Sequence, residues 1–437
     1  MNNHRLLTVL LCAILLSGGV CLYGQSIMTL EQIFEIAETN SSQLRPSLSA
    51  QEEADREVSV ARSSRLPDIS AAVSLSYIGN GFTTRRNFSD YQEAPIPHFG
   101  NGVSIKISQP IYAGGAISGA IEMAELKSTA SRYASDFRRD NIRFQLTDFY
   151  LDLYKYDNLR RVVESNLAAA RKVLDDMNTR YIQGTVLKND ITRYELLVAN
   201  LELQLTRINN TIGILNSNLV TTAGLPGGTI VVPDTTILSR SLPLEGEGWW
   251  QQQAAANSPS LQLARSGVDI SRKAETLVKA QRLPKIGLEA AWNLDGPILV
   301  EVPPINRNLG YWYVGLGISY NLSSLYKSNK SLAKSRIATR RSVEELEATR
   351  DNVALAVRTD HVHYLEAYEN LKTQQKSVEL AERNYIVTST RYSAEMALIT
   401  DMLDAANARL DAQLGLINAR IDIIYFYYKL LFTSGII

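Results

Sequence analysis

A long run of apolar residues at coiled-coil spacing is the feature that most constrains the fold of this chain. Between Ile142 and Tyr181, twelve positions follow one another in steps of four and three, and all but Arg160 are apolar or aromatic. A 3.5-residue repeat sustained over this length is typical of a coiled coil rather than of a helix on a globular core. Because no proline lies between residues 110 and 226, we predict one helix over 116–183, roughly 100 Å long at 1.5 Å per residue.

A second long helix is predicted to return along the first after a break at Gly184. Asp190 is expected to cap this returning helix, because a short carboxylate accepts hydrogen bonds from the free amides of a first helical turn. Its apolar positions keep the same spacing: Ile191, Tyr194, Val198, Leu201, Leu205, Ile208, Ile212, Leu215 and Leu219. The two helices together predict a hairpin.

The chain repeats this design once. Arg65-Leu-Pro67 recurs as Arg282-Leu-Pro284, and the hairpin tip 181–190 recurs as 392–401, with tyrosine and aspartate at its two ends. The second hairpin carries two apolar stripes, which indicates partners on two sides, as in a closed ring of helices. A free-standing antiparallel coiled coil is the alternative.

The predicted division of the chain follows from this duplication. We predict a signal peptide over 1–24, a first structural repeat over 25–228, a linker over 229–247 and a second structural repeat over 248–437. The signal peptide is predicted from two basic residues before an apolar run of about 11 residues, too short for the ~20 that a membrane-spanning helix needs.

Composition limits the function classes. Cys12 and Cys21 are the only cysteines and lie within the predicted signal, so no disulfide is expected in the mature chain. The 45 basic residues balance 45 acidic ones, which argues against the positive field of a nucleic-acid binder. His361 and His363 fall on different faces of a helix, which disfavours a metal site, and no phosphate-binding loop or nucleophile elbow occurs. We therefore expect neither an enzyme nor a cofactor.

Four short segments alternate apolar and polar residues with period 2, as strands with two different faces do. They are Ile69–Tyr77, Val103–Ser108, Ile286–Asn293 and Trp312–Asn321. Segments of about ten residues cross a bilayer when tilted, although a soluble sheet with one wet face alternates in the same way. Since four strands cannot close a barrel and open edges are not tolerated in lipid, several copies must contribute. Gly114-Gly115 is predicted to be a strand-to-helix corner.

The order of these elements resembles the TolC family of outer-membrane efflux proteins over essentially the whole mature chain. The elements that carry the resemblance are Thr29-Leu-Glu-Gln32 with Ala37 and Asn40, Arg65-Leu-Pro67, Gln109-Pro-Ile-Tyr-Ala-Gly-Gly115, and the tip from Gly184 to Asp190. The resemblance implies a membrane α+β fold with internal duplication. A homotrimer in outer-membrane lipid would form a 12-stranded β-barrel, four strands per chain, continued by a coiled-coil α-helical periplasmic barrel.

The resemblance also implies a function and a site. The expected function is the exit duct of a tripartite efflux or secretion system, with a periplasmic adaptor (membrane fusion) protein and an inner-membrane RND or ABC transporter as partners. Asp401 and Asp404 match the aperture aspartates of the family, and Tyr392 and Asp190 match residues that link neighbouring helices in the closed state. Gly184 and Glu395 mark the hairpin tips.

Two departures and several alternatives accompany this prediction. Ala397 stands where some members have a locking arginine, and Glu395 replaces the tip glycine. Asp401 and Asp404 lie three residues apart on one helical face, so a threefold axis would stack two carboxylate rings that attract cations; alternatively, they only favour a helix N-terminus. The alternative functions are a type I protein-secretion conduit, a structural envelope coiled coil and, disfavoured by scarce His and Met, a metal-efflux channel.

Overall fold

A computed structural model describes residues 25–234, 242–301 and 304–437 of the chain. The predicted signal peptide therefore lies outside the described residues. The chain divides into two compact units, one formed by residues up to Leu48 with Ser135–Pro259 and Arg350–Ile437, the other by Ser49–Ala134 and Ser260–Thr349. Each unit takes segments from both predicted repeats, whose boundaries remain a prediction.

The described elements occur in the same order in both halves of the chain: two helices, a pair of long strands and a helical hairpin. The first half contains α1 (Leu30–Asn40), α2 (Arg45–Ser63), β2 (Asp68–Tyr77), β5 (Phe99–Tyr112), α3 (Ala116–Ile182) and α4 (Lys188–Ala223). The second contains α5 (Glu247–Asn257), α6 (Pro259–Ala280), β7 (Lys285–Gly296), β8 (Leu309–Ser319), α7 (Ser324–Ser393) and α8 (Ile399–Thr433). The short strands are β1 (Gln25–Met28), β3 (Gly81–Thr83), β4 (Gln92–Ala94) and β6 (Ile230–Pro233).

The four predicted strands form one antiparallel sheet in the order β2-β5-β7-β8. Its register puts apolar residues opposite one another on one face, with Ile105 beside Trp292 and Trp292 beside Trp312. Most of the large apolar side chains on that face are exposed, and Val73 is 73% exposed. Small and polar residues cover the other face, where Lys106 Nζ lies 3.7 Å from Glu289 Oε2. β2 and β8 are the two edges of the sheet.

The segment between β2 and β5, which is rich in Gly, Pro and Asn, contains two short strands. Within it β3 and β4 pair as a short antiparallel ribbon, and Phe82 stacks on Tyr91 with ring centroids 5.2 Å apart. Arg85 Nε donates to Asp90 Oδ2 at 3.1 Å across the turn. These contacts are local to the ribbon and follow no periodic pattern that the sequence displays.

The helical hairpins confirm the coiled-coil prediction. α3 is one helix of 67 residues, and seven of its twelve heptad positions are buried: Ile142, Leu146, Leu153, Val163, Leu167, Ala170 and Met177. With α1, α4 and α8 the N-terminal part of this stripe forms one core. A second core joins α5, α7 and α8 around Trp250 and Tyr364. Each half of the chain thus lays a short helix against its own hairpin.

Asn40-Ser41 recurs as Asn257-Ser258 in the second half of the chain, and the two pairs occupy the same structural position. Gly224, with φ +73°, follows α4, and a Cβ there would lie 2.5 Å from the carbonyl oxygen of Asn40. Gly435, with φ +72°, follows α8 and would meet the carbonyl oxygen of Asn257 at 2.7 Å in the same way. Only glycine accepts both the left-handed backbone and the close approach. The turn after each short helix is therefore packed against the end of the corresponding hairpin.

The N-terminal segment is fixed by side-chain hydrogen bonds. Thr29 and Gln32 form a capping box at the start of α1, in which Gln32 N–H donates to Thr29 Oγ1 at 3.3 Å and Thr29 N–H donates to Gln32 Oε1 at 2.9 Å. β1 pairs in parallel with β6, and the buried Tyr150 hydroxyl donates to the Met28 carbonyl at 2.9 Å. The predicted linker therefore contains a strand, while residues 235–241 of it lie outside the described chain.

Two further sequence-based expectations concern corners and helices. Gly114 and Gly115 have φ values of +64° and +81° and lead directly into α3, which confirms the predicted strand-to-helix corner. A Cβ at Gly114 would lie 2.8 Å from the Ala280 carbonyl oxygen. Among the described residues, the helices lack a stretch that is both long and apolar enough to span a membrane.

Candidate functional site at the hairpin tips

The tips of the two hairpins pack on one another. A buried cluster joins Val163 to Met177 of α3, Ile191 to Ile208 of α4, and Ile399, Met402 and Leu410 of α8. Tyr385 and Tyr392 of α7 are half-buried against the same cluster. All of these residues belong to one compact unit. The structure thus brings together the two tips that the sequence singled out.

The two tips share one backbone geometry, although their sequences differ. Gly184 has φ +81°, with Gly184 N–H donating to Tyr181 O at 2.9 Å and Thr185 N–H donating to Arg180 O at 3.1 Å. Glu395 has φ +61° and makes the equivalent hydrogen bond to Tyr392 O at 3.0 Å. A side chain in this left-handed region costs roughly 1–2 kcal/mol. The second tip therefore holds a strained residue where the first holds glycine.

The prediction that Asp190 caps α4 is wrong. Leu187 is the N-cap, and Asp190 already lies in the first turn, because its own N–H donates to Leu187 O at 3.0 Å. Asp401 occupies the corresponding place in α8, where Leu398 is the N-cap. There, Leu398 N–H donates to Asp401 Oδ2 at 3.2 Å. A carboxylate in the first turn is also favoured by the helix dipole.

Tyr392 and Asp190 lie near each other at these tips and interact electrostatically. Partial burial raises the pKa of Tyr392, and the negative charge of Asp190 raises it further, while Arg180 opposes the shift. Within the described residues, the two side chains do not share a hydrogen bond. The closed-state link between them remains a prediction.

Arg180 is a tip residue that the sequence interpretation missed. Its guanidinium lies 3.0 Å from Asp176 and donates to the Ser393 carbonyl at 3.4 Å, so it joins the end of α3 to the end of α7. The repeat contained a signal for it, because Arg180-Tyr181 recurs as Arg391-Tyr392. Extending the matched block by one residue would have identified it. The tips thus carry an arginine even though Ala397 does not supply one.

A tyrosine cluster lies directly behind the tips. Tyr194 is 1% exposed, and burial together with the neighbouring Tyr385 and Tyr392 raises its pKa far above the usual range. The Arg409 guanidinium sits 4.4 Å from the centre of the Tyr385 ring and 2.7 Å from Glu382 Oε2. These rings keep the two hairpins in contact with largely neutral, rigid side chains.

Asp401 and Asp404 are both exposed. They lie three residues apart in α8 and so project from one side of the helix. Asp401 has the helix-start hydrogen bond described above, whereas Asp404 lies almost one turn further on. In a single chain the pair presents two carboxylates to solvent, and such groups attract cations when several copies surround one axis.

Within the described residues, no cluster of three or more His, Cys, Asp and Glu side chains has the arrangement of a metal site. His361 Nε2 lies 3.2 Å from the Glu245 carbonyl, and His363 stacks on Phe426. A cavity of about 660 Å³ opens near one end of the sheet, with Asp68, Lys285 and Glu289 among its lining.

Comparison with known proteins gives a consistent result. The sequence matches the family model described as outer membrane efflux protein over residues 34–220 and 250–424. Outer membrane efflux protein BepC of Brucella suis is 21% identical over 429 residues, which cover 97% of this chain and 89% of BepC. Outer membrane protein TolC of Vibrio cholerae is 22% identical over 405 residues, which cover 90% of this chain and 88% of that protein.

Solved structures show the same fold. The outer membrane protein VceC of Vibrio cholerae superposes with a TM-score of 0.76 at 16% identity, over 93% of this chain and 96% of VceC. At this level of sequence identity, the structural similarity shows the fold alone. It confirms the predicted fold class.

Proposed function

This chain belongs to the outer membrane efflux protein family and is an outer-membrane efflux channel, and from this premise we propose that it acts as a homotrimer that receives cargo from a periplasmic adaptor and an inner-membrane transporter. The observation that carries the proposal is the sheet. It has one continuous exposed apolar face and two free edges, β2 and β8. In lipid both edges must be paired, and further copies of the same chain supply matching edges.

The polar face of the sheet supports a water-filled bore. β2 and β8 run in opposite directions within the sheet, so β8 of one copy can pair with β2 of the next in the antiparallel sense used throughout. Three copies then close the sheet, with apolar residues towards lipid and small or polar residues towards the lumen. Family members are channels, and we assign this chain no catalytic step.

The gate is proposed at the hairpin tips. Tyr392 and Asp190 are near enough to interact electrostatically, and the exposed Asp401 and Asp404 are free to face a threefold axis. We propose that the two carboxylates form rings around the aperture and that the Tyr392–Asp190 contact, assisted by Arg180, holds the hairpins in the resting state. The Leu398 hydrogen bond to Asp401 favours the alternative role of a helix-start carboxylate, so the selectivity measurement argued in the Discussion decides between them.

The adaptor is proposed to bind the ends of the hairpins. Four apolar residues at the two tips are exposed: Ile182, Leu187, Met396 and Leu398. Apolar side chains clustered at the ends of long polar helices are typical of a protein contact surface. In-cell crosslinking at Leu187 and Met396 should capture the adaptor. Identifying the transporter bound to that adaptor then shows whether it is of the RND or ABC type.

The proposed function is tested by membrane fractionation and planar-bilayer recording. We expect a heat-modifiable trimer in the outer-membrane fraction that conducts ions after reconstitution. A chain that stays monomeric and needs no detergent after export would contradict the trimer. A trimer without conductance would instead support a structural envelope coiled coil.

A further inference from the structure

The compact unit that contains the sheet also contains segments of four helices, and these segments are arranged in the order of the strands. Arg62 of α2 lies 2.8 Å from Glu125 of α3. Lys273 of α6 pairs with Glu122 of α3, and Ser271 of α6 lies 2.7 Å from Ser342 of α7. The helix order α2-α3-α6-α7 therefore matches the strand order β2-β5-β7-β8.

This order leaves α2 and α7 as the outer helices of the row. α2 has no buried residue, and its half-buried positions, Ser47, Gln51, Ala54, Val58 and Ala61, form one stripe. Glu53 and Val60 point away from that stripe, and Glu57 flanks them. On α7 the stripe through Ser328 and Leu332 packs inwards, and Lys330 and Ile337 lie on the opposite side.

The two outward sides carry opposite charges. Between Ser324 and Val343 α7 has six basic residues and no acidic one. Between Glu52 and Glu57, α2 has four acidic residues and one basic residue, Arg56, which lies 3.8 Å from Glu52. Within the described residues, Glu53, Glu57, Lys330 and Lys334 are all without an ion pair and exposed. A helix side that is acidic and one that is basic make a complementary pair.

The charges also match in their distance from the sheet. Glu57 lies eleven residues before the first residue of β2, and Lys330 lies eleven residues after the last residue of β8. Glu53 and Lys334 each lie fifteen residues from the same strand ends. When β8 of one copy pairs with β2 of the next, α7 and the next copy's α2 continue side by side and antiparallel, so these residues come level.

We propose that the basic side of α7 docks on the acidic side of α2 of a second copy of this chain, with Lys330 facing Glu57 and Lys334 facing Glu53. The inference rests on the proposed trimer and adds the interface that closes it. Because the two sides differ, the contact is head-to-tail, and such contacts form a ring when the rotation between successive copies closes, as it does in the proposed trimer. The apolar Val60, Tyr326 and Ile337 beside the charges, each at least 60% exposed, are buried in the same contact.

Charge reversal tests this interface in the full chain in the outer membrane. Lys330→Glu with Lys334→Glu, or Glu53→Lys with Glu57→Lys, places like charges opposite one another and should reduce the heat-resistant trimer about tenfold. Combining all four changes restores opposite charges and should return the trimer to near the starting amount. Lys372→Glu with Lys376→Glu is the matched control, with the same spacing, helix and charge change but partners within the same helix. It should leave the trimer unchanged.

Cysteine crosslinking provides a second measurement that does not depend on the stability of charged variants. Glu57→Cys with Lys330→Cys should give covalent dimers and trimers on oxidation, whereas Glu57→Cys with Lys372→Cys should not. If the fourfold variant does not recover the trimer, or if oxidation links cysteines only within one chain, the proposed interface is wrong. The trimer proposal itself would still stand. An unsubstituted chain that yields only monomer overturns the proposed trimer and this interface together.

Discussion

Glu395 is one of three described residues other than glycine that have a left-handed backbone conformation, with Phe88 and Asp90. It adopts φ +61° at the tip of the second hairpin, where Gly184 adopts +81° at the tip of the first. Its side chain is exposed and makes none of the hydrogen bonds found among the described residues. The strain at this position is thus not offset by a local contact within the chain.

Replacing Glu395 by glycine should stabilise the hairpin. We expect Glu395→Gly to raise the free energy of unfolding by about 1 kcal/mol, because glycine adopts the left-handed region without a Cβ clash. Thermal unfolding of the detergent-solubilised protein, followed by circular dichroism, measures the change. Gly184→Ala is the matched control and should shift the midpoint in the opposite direction; a lower midpoint for Glu395→Gly would show that the carboxylate is required there.

The aperture carboxylates are tested by their charge. Asp401→Asn with Asp404→Asn keeps side-chain size, so removing two proposed rings of negative charge should lower cation selectivity in planar bilayers with little effect on trimer amount. Glu366→Gln with Glu369→Gln changes an exposed pair at the same spacing on α7 and should leave selectivity unaltered. Unchanged selectivity in the aspartate variant would assign both residues to the helix start.

The proposed lock is tested by the Tyr392 hydroxyl. Tyr392→Phe preserves the packing of the ring in the tip cluster but removes the hydroxyl, the group of that side chain that could hydrogen-bond to Asp190, so resting conductance should rise. Tyr181, the equivalent residue of the first tip, provides the control, and Tyr181→Phe should leave conductance as it was. Equal conductance in the two variants and the unsubstituted channel would mean that Arg180 or side-chain packing, rather than the Tyr392 hydroxyl, holds the resting state.

At the scale of elements, the sheet and the hairpins follow directly from periodicity. The apolar face of β2 is exposed from Ile69 to Tyr77, and at its end Tyr77 stacks on His98 with ring centroids 5.4 Å apart. The same strand presents serines to the polar face. Neighbouring residues of this strand therefore differ in polarity, because one face requires apolar side chains and the other carries polar ones.

A charge on the apolar face should therefore interfere with membrane assembly. Val73→Lys is expected to cost about 2–4 kcal/mol, the range for a lysine facing lipid near the bilayer midplane. The measurement is the amount of trimer in the outer-membrane fraction. Ser74→Lys on the adjacent, polar-facing position should be tolerated far better; equal losses in both variants would argue against a lipid-facing role for the apolar face.

At the scale of the whole molecule, the proposed channel has an outer end and a periplasmic end. The ribbon of β3 and β4 follows the sheet on one side, and the hairpin tips belong to the other compact unit. The chain belongs to a family of outer membrane proteins, and we propose that the sheet is the part that lies in the membrane. We therefore propose that Asn87 of the ribbon turn faces outwards and that the tips lie in the periplasm.

Cysteine labelling tests this orientation. Cysteines introduced at Thr185 or Met396 should be protected from a membrane-impermeant reagent in intact cells, whereas a cysteine at Asn87 should react. All three should react after the outer membrane is permeabilised, which controls for local accessibility. Labelling of the tip positions in intact cells at the rate of Asn87 would reverse the orientation.

Much of the fold was predictable because the repeat period of the long helices differs from that of the strands. A 3.5-residue repeat places one side of α3 against its partners, and alternation places every second residue of β2 on one face, so both patterns remain legible in a single sequence. Asp190 shows the limit of such reasoning. Its residue type suits a cap, but the position of a cap depends on where the helix begins, and Leu187 occupies it.

Local patterns in the sequence predict the long helices, the four strands of the sheet and the two hairpin tips, because each pattern lies within a short stretch of chain, and comparison of the two halves predicts the duplication. The fold is needed to show that Arg180 reaches Ser393, that β1 pairs with β6, and that α2 and α7 are the outer helices of their row. Those arrangements depend on contacts between residues far apart in sequence. Such contacts form wherever packing and hydrogen bonding are jointly satisfied, and no local period records them.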